Sequence, residues 1–437
     1  MTVREQGSSN KLFYYTRTGP NTTFNMHKEI VLKEPVLPKR WALCVEEILR
    51  LFPEFAVRPI IRDNRICYEE NHNAAPVFSQ KRVRAFGTED TNGYLFYHLV
   101  EGCRILVSFF HGLCDGVGME LFMDCVLYLY GKKSGLLKAE DTIPAIYEER
   151  LGKDGPISLA QLSEEAVDPY GFLVKKSGPP SAREPLTGDA FFIQRQKNLV
   201  QSSRVHLYSV HTETGAFLSL SKEMGVSFSA LLIPLVAQAI ARGGRAEEET
   251  VRIMLPVNLR QIYDVRTLVN FSDGICFSLD ADQRKKPIPA QAEQCLKRLK
   301  ARLSRDFFEP VLSDNVRMMR AFEEGETPAD QVDVKPFVSP AEGIRPPFTC
   351  VLTCPRIIKE YSFLSDVRYC CAVSASFTVV AYTWHNHMTI RCIQKSDSDA
   401  IAGALAGCLE EAGLPAEVRD EGFLEGDPLL MGRLLKR

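Results

Sequence analysis

A mainly apolar run without a strand-breaking residue covers residues 104–110 and predicts a buried strand. The run stops at His111, and a loop with two glycines, Gly112 and Gly116, follows it. Apolar residues then recur at helical spacing, which predicts a helix over residues 117–131. The pattern therefore places a titratable imidazole at the end of a buried strand, four residues before an Asp–Gly pair.

The same patterns predict the other elements of the first half. Apolar positions at helical spacing predict a helix over residues 41–52, which Pro53 ends. Short β-rich runs separated by turn residues predict strands at 56–61, 65–68 and 94–100, the last forming a hairpin with 104–110.

The second half of the chain alternates between strands and helices in a similar way. Strands are predicted at 204–210, 250–255, 271–279, 348–353, 372–383 and 388–393, and helices at 214–224, 227–240, 291–308 and 397–413. Between the halves, residues 176–188 contain three prolines and two glycines and predict a linker. We therefore expect a duplicated α/β unit, with an N-terminal lobe at 1–175 and a C-terminal lobe at 189–437.

Composition and charge argue against several classes of protein, namely nucleic-acid-binding, membrane-spanning and secreted disulfide-rich proteins. A net charge of -2 over 437 residues gives no basic footprint for nucleic acid. No apolar run reaches the roughly 18 to 20 residues that span a bilayer, so we expect no membrane-spanning segment. The first ten residues are polar and unlike a signal peptide, and the thirteen cysteines lack a framework spacing. Both observations predict a cytoplasmic protein with reduced thiols.

His111 is the first candidate for chemistry, because an unperturbed imidazole gains and loses a proton near neutral pH. The alternative is a core histidine that caps the end of a strand. Cys114 in the same loop is a thiol with no second base visible in the sequence, so we do not expect a nucleophile. His385 and His387 are predicted to lie in a turn, and no cysteine or histidine spacing predicts a metal site.

The stretch His111-x-x-x-Asp115-Gly116 resembles the HxxxDG signature of the chloramphenicol-acetyltransferase-like superfamily. That group includes acyl-CoA-dependent acyltransferases and nonribosomal peptide condensation domains. Further segments at 51–55, 226–232 and 256–260, the last followed by Asn270-Phe271, resemble segments of bacterial and plant-type alcohol acyltransferases.

The resemblance implies an α/β (α+β) fold of two acetyltransferase-like lobes. Each lobe would be a mixed sheet packed with helices, and a tunnel would lie at their interface. His111 would sit in the middle of the tunnel as the general base. Many members carry two consecutive histidines, whereas Phe110 occupies the first position here, which weakens the case for peptide condensation.

The resemblance also assigns supporting roles. Asp115 would point away from the tunnel and pair with Arg260, and together with Gly116 these residues would support the catalytic loop. Asn258 and Asn270 could fix loops or donate to an oxyanion, and the former role is preferred. Other candidates for the oxyanion donor come from an alternating strand, namely Ser374, Ser376 and Thr378.

The function that the resemblance implies is transfer of an acyl group from acyl-CoA to a hydroxyl or amine of a small molecule. Acyl-CoA would be a co-substrate, with no permanently bound cofactor, and the resemblance implies a monomer. Two alternatives stay open. The acyl donor could be an acyl-carrier protein, or the chain could be a non-catalytic homologue that binds an acyl ligand.

Overall fold

The structure is a computed structural model that describes residues 3–5, 24–62, 65–82, 84–152, 157–177, 190–191, 201–323, 348–355, 359–373 and 377–423. The strands in these ranges are β1 Val3–Glu5, β2 Phe24–Leu32, β3 Val57–Arg62, β4 Arg65–Glu70, β5 Val77–Phe78, β6 Phe96–Glu101, β7 Arg104–Phe110, β8 Gln201–Glu213, β9 Val251–Asn258, β10 Ser272–Leu279, β11 Cys350–Thr353, β12 Leu364–Val373, β13 Phe377–Trp384, β14 His387–Ser396 and β15 Glu417–Phe423. The helices are α1 Pro38–Leu51, α2 Gly116–Ser134, α3 Ala145–Leu151, α4 Glu164–Val167, α5 Pro169–Ser177, α6 Thr214–Glu223, α7 Phe228–Gly243, α8 Arg260–Tyr263, α9 Ala281–Arg284, α10 Ile288–Arg302, α11 Arg305–Glu323 and α12 Ala400–Glu411.

A five-stranded sheet in the order β12-β2-β7-β6-β5 forms the core of the first lobe. Alternate residues of β7 are fully buried, because their side chains pack against α1 and α2. Phe109 stacks on Phe96 with ring centroids 4.9 Å apart, and Phe122 of α2 meets Phe109 edge-on at 6.0 Å. This packing fixes α2 against β7, and so it fixes the loop that joins them.

The second lobe is built on a seven-stranded sheet in the order β10-β9-β11-β13-β14-β8-β15. Strand β11 runs parallel to both of its neighbours, and the other pairs are antiparallel. Helix α7, which is apolar on all sides, lies in the centre of the second hydrophobic core. Both large sheets are therefore mixed and covered by helices, and the predicted fold class is confirmed.

One strand of the first sheet comes from the second half of the chain. Strand β12 pairs with β2 from Val373 opposite Phe24 to Leu364 opposite Leu32. The next strand, β13, belongs to the seven-stranded sheet. The predicted single strand at 372–383 is therefore wrong, because the chain changes sheets between two apolar strands.

The predicted helix at 291–308 also differs from the structure. The chain forms two helices, α10 and α11, which are separated at Leu303 and Ser304. Leu303 has a non-helical backbone, and the Ser304 hydroxyl accepts a hydrogen bond from the Phe307 amide at 3.4 Å. A serine that caps a new helix explains the break.

The remaining strands form a small sheet in the order β1-β4-β3, which confirms the predicted strands at 56–61 and 65–68. Tyr170 of α5 packs into the second core, where its hydroxyl donates to the Ser272 carbonyl at 2.6 Å. The lobe boundaries at 175 and 189 stay a prediction, and most of the predicted linker at 176–188 lies outside the described residues.

Within the described residues, no single helix is long and apolar enough to cross a bilayer. Helices α6 and α7 reach that length and composition only when taken together, and they are bent by 101° relative to each other.

Candidate active site

The loop after β7 is held at both ends by hydrogen bonds. The Leu113 amide donates to the Phe110 carbonyl at 2.9 Å, which forms a tight turn around His111. Asp115 then caps α2, because its Oδ1 accepts a hydrogen bond from the Gly118 amide at 2.9 Å. His111 is therefore placed between a buried strand and a capped helix.

Asp115 is also the anchor between the two lobes. Arg260 donates to both of its carboxylate oxygens, from Nη1 to Oδ2 at 2.7 Å and from Nη2 to Oδ1 at 3.0 Å. The Phe271 amide donates to Oδ2 at 2.9 Å. Because Asp115 is only 4% exposed, these donors satisfy a carboxylate that burial would otherwise destabilise.

The Arg260 guanidinium holds its own loop as well. It donates to the carbonyls of Thr267 and Val269, both at 2.7 Å, and to Asn258 Oδ1 at 3.1 Å. Asn258 Oδ1 also accepts from the Arg260 amide. The hydrogen bonds of this one arginine thus stabilise the backbone conformation of the segment 258–269 next to the His111 loop.

Asn270 follows this segment and contacts His111 directly. Asn270 Oδ1 lies 3.1 Å from His111 Nδ1, and Asn270 Nδ2 donates to the His111 carbonyl at 2.5 Å. A carbonyl oxygen can only accept, so the amide nitrogen must face it and Oδ1 must face the ring. Oδ1 also can only accept, so His111 carries its proton on Nδ1 and its basic lone pair on Nε2.

Burial sets the charge of His111. Desolvation lowers the pKa of the His111 imidazole below its usual value of 6.5, and this effect exceeds the opposing ones. The opposing effects, in order, are a hydrogen bond to the backbone of His111, the charge of Asp115 and the hydrogen bond to Asn270. The ring is therefore neutral at neutral pH, which a general base requires.

The glycines near the loop differ in what surrounds them. A Cβ on Gly118 would lie 2.0 Å from the Leu268 carbonyl oxygen, and one on Gly112 would lie 2.2 Å from the Phe110 ring. A Cβ on Gly116 would meet nothing within 4 Å. Close approach therefore accounts for Gly112 and Gly118, and the supporting role of Gly116 stays a prediction.

Three other residues complete the surroundings of the loop. Tyr68 of β4 donates from its hydroxyl to the Gly112 carbonyl at 2.9 Å. The Phe110 ring is buried against Phe86, with centroids 6.4 Å apart. Burial and the negative charge of Asp115 raise the pKa of the Cys114 thiol well above its usual value, so Cys114 is protonated and a poor nucleophile.

The remaining residues singled out in the sequence are the candidate oxyanion donors and the two histidines near residue 386. Ser374 and Ser376 lie outside the described residues. Thr378 lies fully buried in β13, and its hydroxyl makes no hydrogen bond among the described residues. His385 lies in the exposed β13–β14 turn, as predicted, whereas His387 is the exposed first residue of β14.

A cavity of about 900 Å³ lies between the two large sheets. Its lining includes His27 of β2 and Leu106 of β7 on one wall, and His211 of β8 and Trp384 of β13 on the other. His111 does not line it. The space between the two sheets is of ligand size, and the residues of β7 that line it, Arg104 and Leu106, lie toward the end of the strand away from His111.

Sequence reasoning missed some residues of the site. The roles of Tyr68 and Gly118, and the contact of the Leu268 carbonyl with α2, follow only from the tertiary structure. Asn270 was recognised as a loop residue, but its double contact with His111 was not expected. The spacing of 159 residues between these two positions carried no signal of contact.

No family model matches the chain, and no curated protein matches it by sequence. Solved structures do match over nearly the whole chain. Polyketide synthase associated protein 5 from Mycobacterium tuberculosis is 13% identical, with 93% of this chain and 97% of that chain covered and a TM-score of 0.58. TRI101 of F. sporotrichioides, complexed with coenzyme A and T-2, is 11% identical, with 96% and 100% covered and a TM-score of 0.59.

The starter condensation domain of rhizomide synthetase RzmA, in complex with C8-CoA and Leu-SNAC, is 13% identical, with 94% and 93% covered and a TM-score of 0.57. At such identities the match concerns the fold alone. The chain therefore has the same two-lobed fold as the RzmA condensation domain and TRI101, which is the fold that the resemblance implied.

Proposed function

We propose that this protein is an acyltransferase that moves an acyl group from acyl-CoA to a hydroxyl or amine acceptor, with His111 as the general base. The observation that supports this most strongly is the contact between Asn270 and His111, which leaves the basic lone pair on Nε2. The lowered pKa of His111 agrees with a neutral base at working pH. The fold is shared with proteins whose structures hold coenzyme A or C8-CoA.

In the proposed reaction, the acceptor oxygen or nitrogen attacks the thioester carbonyl carbon while its proton passes to His111 Nε2. The carbon–sulfur bond then breaks, and His111 returns the proton to the leaving thiolate. A positioned base of this kind supplies about 10²–10⁴-fold in rate. The placing of two substrates in one site supplies much of the remainder.

Asp115, Gly116 and Arg260 would act without touching the substrate. Asp115 and Arg260 connect the His111 loop to the segment that carries Asn270. They would keep the imidazole at a fixed position and angle, so we propose them as positioning residues, with Gly116 beside them.

Mass spectrometry tests the proposal. Wild-type protein and a His111→Ala variant are incubated with a panel of acyl-CoAs and pooled alcohols and amines, and free CoA and acylated products are measured. Direct detection is needed because the thirteen cysteines would disturb a colorimetric thiol assay. Product that the wild type forms and the folded variant does not form would support the proposal.

A carrier-protein donor is the second candidate, because the matching structures include the starter condensation domain of RzmA and the nonribosomal peptide synthetase FmoA3. It would be favoured by turnover with an acyl group loaded on a carrier protein and none with free acyl-CoA. A binding role without catalysis would be favoured if acyl-CoA bound and no donor gave product.

A further inference from the structure

Two consecutive carbonyl groups of the loop after β7 accept hydrogen bonds from different parts of the chain. The His111 carbonyl accepts from Asn270 Nδ2, which belongs to the second half. The Gly112 carbonyl accepts from the hydroxyl of Tyr68, which belongs to the first half, at 2.9 Å. The two contacts therefore restrain different atoms of the loop: one holds the histidine itself, and the other holds the peptide group that follows Gly112.

The peptide group between Gly112 and Leu113 is held at both of its polar atoms. Tyr68 bonds to its carbonyl oxygen, and its amide, on Leu113, donates to the Phe110 carbonyl at 2.9 Å. Because a peptide group is planar, hydrogen bonds at both of its ends fix the orientation of the whole plane. His111 lies inside this closed turn, so the turn restricts its backbone torsions.

The glycine directly after His111 explains why such a restraint is needed. A Cβ at position 112 would lie 2.2 Å from the Phe110 ring, so the close packing on Phe110 requires glycine there. Glycine also has more backbone freedom than any other residue, and it therefore holds a turn poorly on its own. The hydrogen bond from Tyr68 to the Gly112 carbonyl limits that freedom.

Tyr68 can provide a fixed donor because its own position is fixed. It lies on β4, the central strand of the small sheet, opposite Pro59 of β3 and Arg4 of β1. Its side chain is 7% exposed and packs in the first hydrophobic core. Side chains that packing locks in this way can hold a site within the roughly 0.5 Å that catalysis requires.

We propose that Tyr68 is a positioning residue, whose hydroxyl keeps the His111 loop in one conformation and so keeps Nε2 where the acceptor loses its proton. This inference rests on the acyl transfer proposed above. Tyr68 acts through the Gly112 carbonyl and takes no part in the proton transfer, in which the acceptor proton passes to His111 Nε2 and then to the leaving thiolate. The small sheet β1-β4-β3 thereby supports the active site from outside it.

This role predicts which kinetic constant changes when the hydroxyl is lost. The position of a base affects the proton transfer and not the binding of the donor, so kcat should fall while the KM for acyl-CoA stays the same. A displacement of about 1 Å at a reacting group costs up to about 10²-fold in rate. A loop that keeps its contact with Asn270 should move less than this, so we expect a smaller loss.

The Tyr68→Phe variant removes the hydroxyl and keeps the ring in the core. With the substrates that the panel above identifies, we expect kcat to fall about 10-fold and the KM for acyl-CoA to stay unchanged. Tyr208→Phe is the matched control, because Tyr208 is 5% exposed and its hydroxyl donates to the Asp397 carbonyl at 2.7 Å in the second lobe. It loses the same kind of bond and should keep the kcat of the wild type.

A kcat of Tyr68→Phe equal to that of the wild type, or an equal loss in the control, would overturn the inference. A double variant, Tyr68→Phe with Asn270→Ala, shows whether Tyr68 acts through His111. Both residues hold the same histidine, so their effects on kcat should not multiply. A loss close to that of Asn270→Ala alone would support the inference, and the full product of the two single losses would contradict it.

A measurement without turnover separates this inference from the proposed function. In protein with isotope-labelled histidine, nitrogen NMR reports which ring nitrogen carries the proton, and the signals lost in His111→Ala identify those of His111 among the eight histidines. We expect the His111 signals to shift or broaden in Tyr68→Phe and to stay unchanged in Tyr208→Phe. That result in a protein that transfers no acyl group would support the positioning role and reject acyl transfer. Acyl transfer and His111 signals that are both unchanged in Tyr68→Phe would support the proposed function and reject the positioning role.

Discussion

Asn270 holds His111 at two points, the ring nitrogen Nδ1 at 3.1 Å and the backbone carbonyl at 2.5 Å. The two residues are 159 positions apart and belong to different halves of the chain. The second half therefore sets the tautomer of an imidazole that the first half provides. This contact is the most specific chemical feature of the site.

Replacement of Asn270 by alanine tests this relationship. Without Oδ1, the ring loses the acceptor that keeps the proton on Nδ1. In a fraction of the molecules the proton would then lie on Nε2, or the ring would be rotated, and Nε2 could not act as the base. We expect kcat/KM to fall by about 10²-fold, within the range that a positioned base supplies. Steady-state kinetics and a thermal unfolding curve of the same preparation measure the effect.

Unchanged kinetics in folded Asn270→Ala protein would contradict the proposed role of the contact. Asn315→Ala is a useful control, because Asn315 makes a comparable amide contact at 2.8 Å with Asp273 and does not contact His111. The control should lose little activity.

The pH dependence of the reaction follows from the lowered pKa of His111. A base acts in its deprotonated form, so activity is present above the pKa of His111 and is lost as the pH falls through it. We expect the acidic limb of kcat/KM against pH to lie below pH 6.5, the usual value for histidine. A limb at or above pH 6.5 would show that another group titrates or that His111 is more solvated than in this structure.

Asp115 should matter for stability as well as for activity. The Asp115→Asn variant leaves Arg260 partly buried without its carboxylate, which costs about 3–5 kcal/mol for a buried pair. Glu411→Gln breaks the exposed pair with Arg242 and should cost about 1 kcal/mol or less. Urea unfolding of the two variants measures the difference, and equal costs would contradict an anchoring role for Asp115.

The local elements were predictable from the sequence because hydrophobic periodicity reports burial. The strand of residues 104–110, the helix after Asp115 and the hairpin around residue 102 follow from apolar positions alone. The break at Ser304 was not expected, because a continuous apolar pattern on both sides concealed a capping serine.

The tertiary contacts of the site were harder to predict from the sequence. An apolar strand does not reveal which sheet it joins, so the passage of β12 into the first sheet could not be seen in the sequence. The contact between Asn270 and His111 joins residues 159 positions apart, so no local pattern indicated it. The motif around His111 could be recognised, since its residues are close together in the chain.

The two glycines that flank Val117 offer a paired test. Gly118→Ala would place a methyl group 2.0 Å from the Leu268 carbonyl oxygen, so α2 or the Leu268 loop must move. We expect a loss of about 1–3 kcal/mol, as for other overpacked positions. Gly116→Ala has open space and should leave the free energy of unfolding nearly unchanged.

Activity of the stable Gly116→Ala protein would then be informative. A lower kcat/KM without a loss of stability would indicate that the space before Gly116 is used by substrate. Equal destabilisation of the two variants would contradict the packing of Leu268 against α2.

Two buried histidines should make the protein sensitive to acid. Burial lowers the pKa of His27 to about 4 and that of His98 to about 3, whereas both have values near 6.5 in the unfolded chain. Between about pH 4 and 6.5 the unfolded state therefore binds more protons, so the free energy of unfolding falls as the pH falls. Between its folded and unfolded pKa values, each histidine changes the free energy of unfolding by about 1.4 kcal/mol per pH unit.

Urea titrations from pH 4.5 to 6 measure how the free energy of unfolding varies with pH. For the His27→Gln variant this slope should be smaller than for the wild type by about 1.4 kcal/mol per pH unit. An unchanged slope would mean that His27 is not buried as a neutral group in the cavity wall.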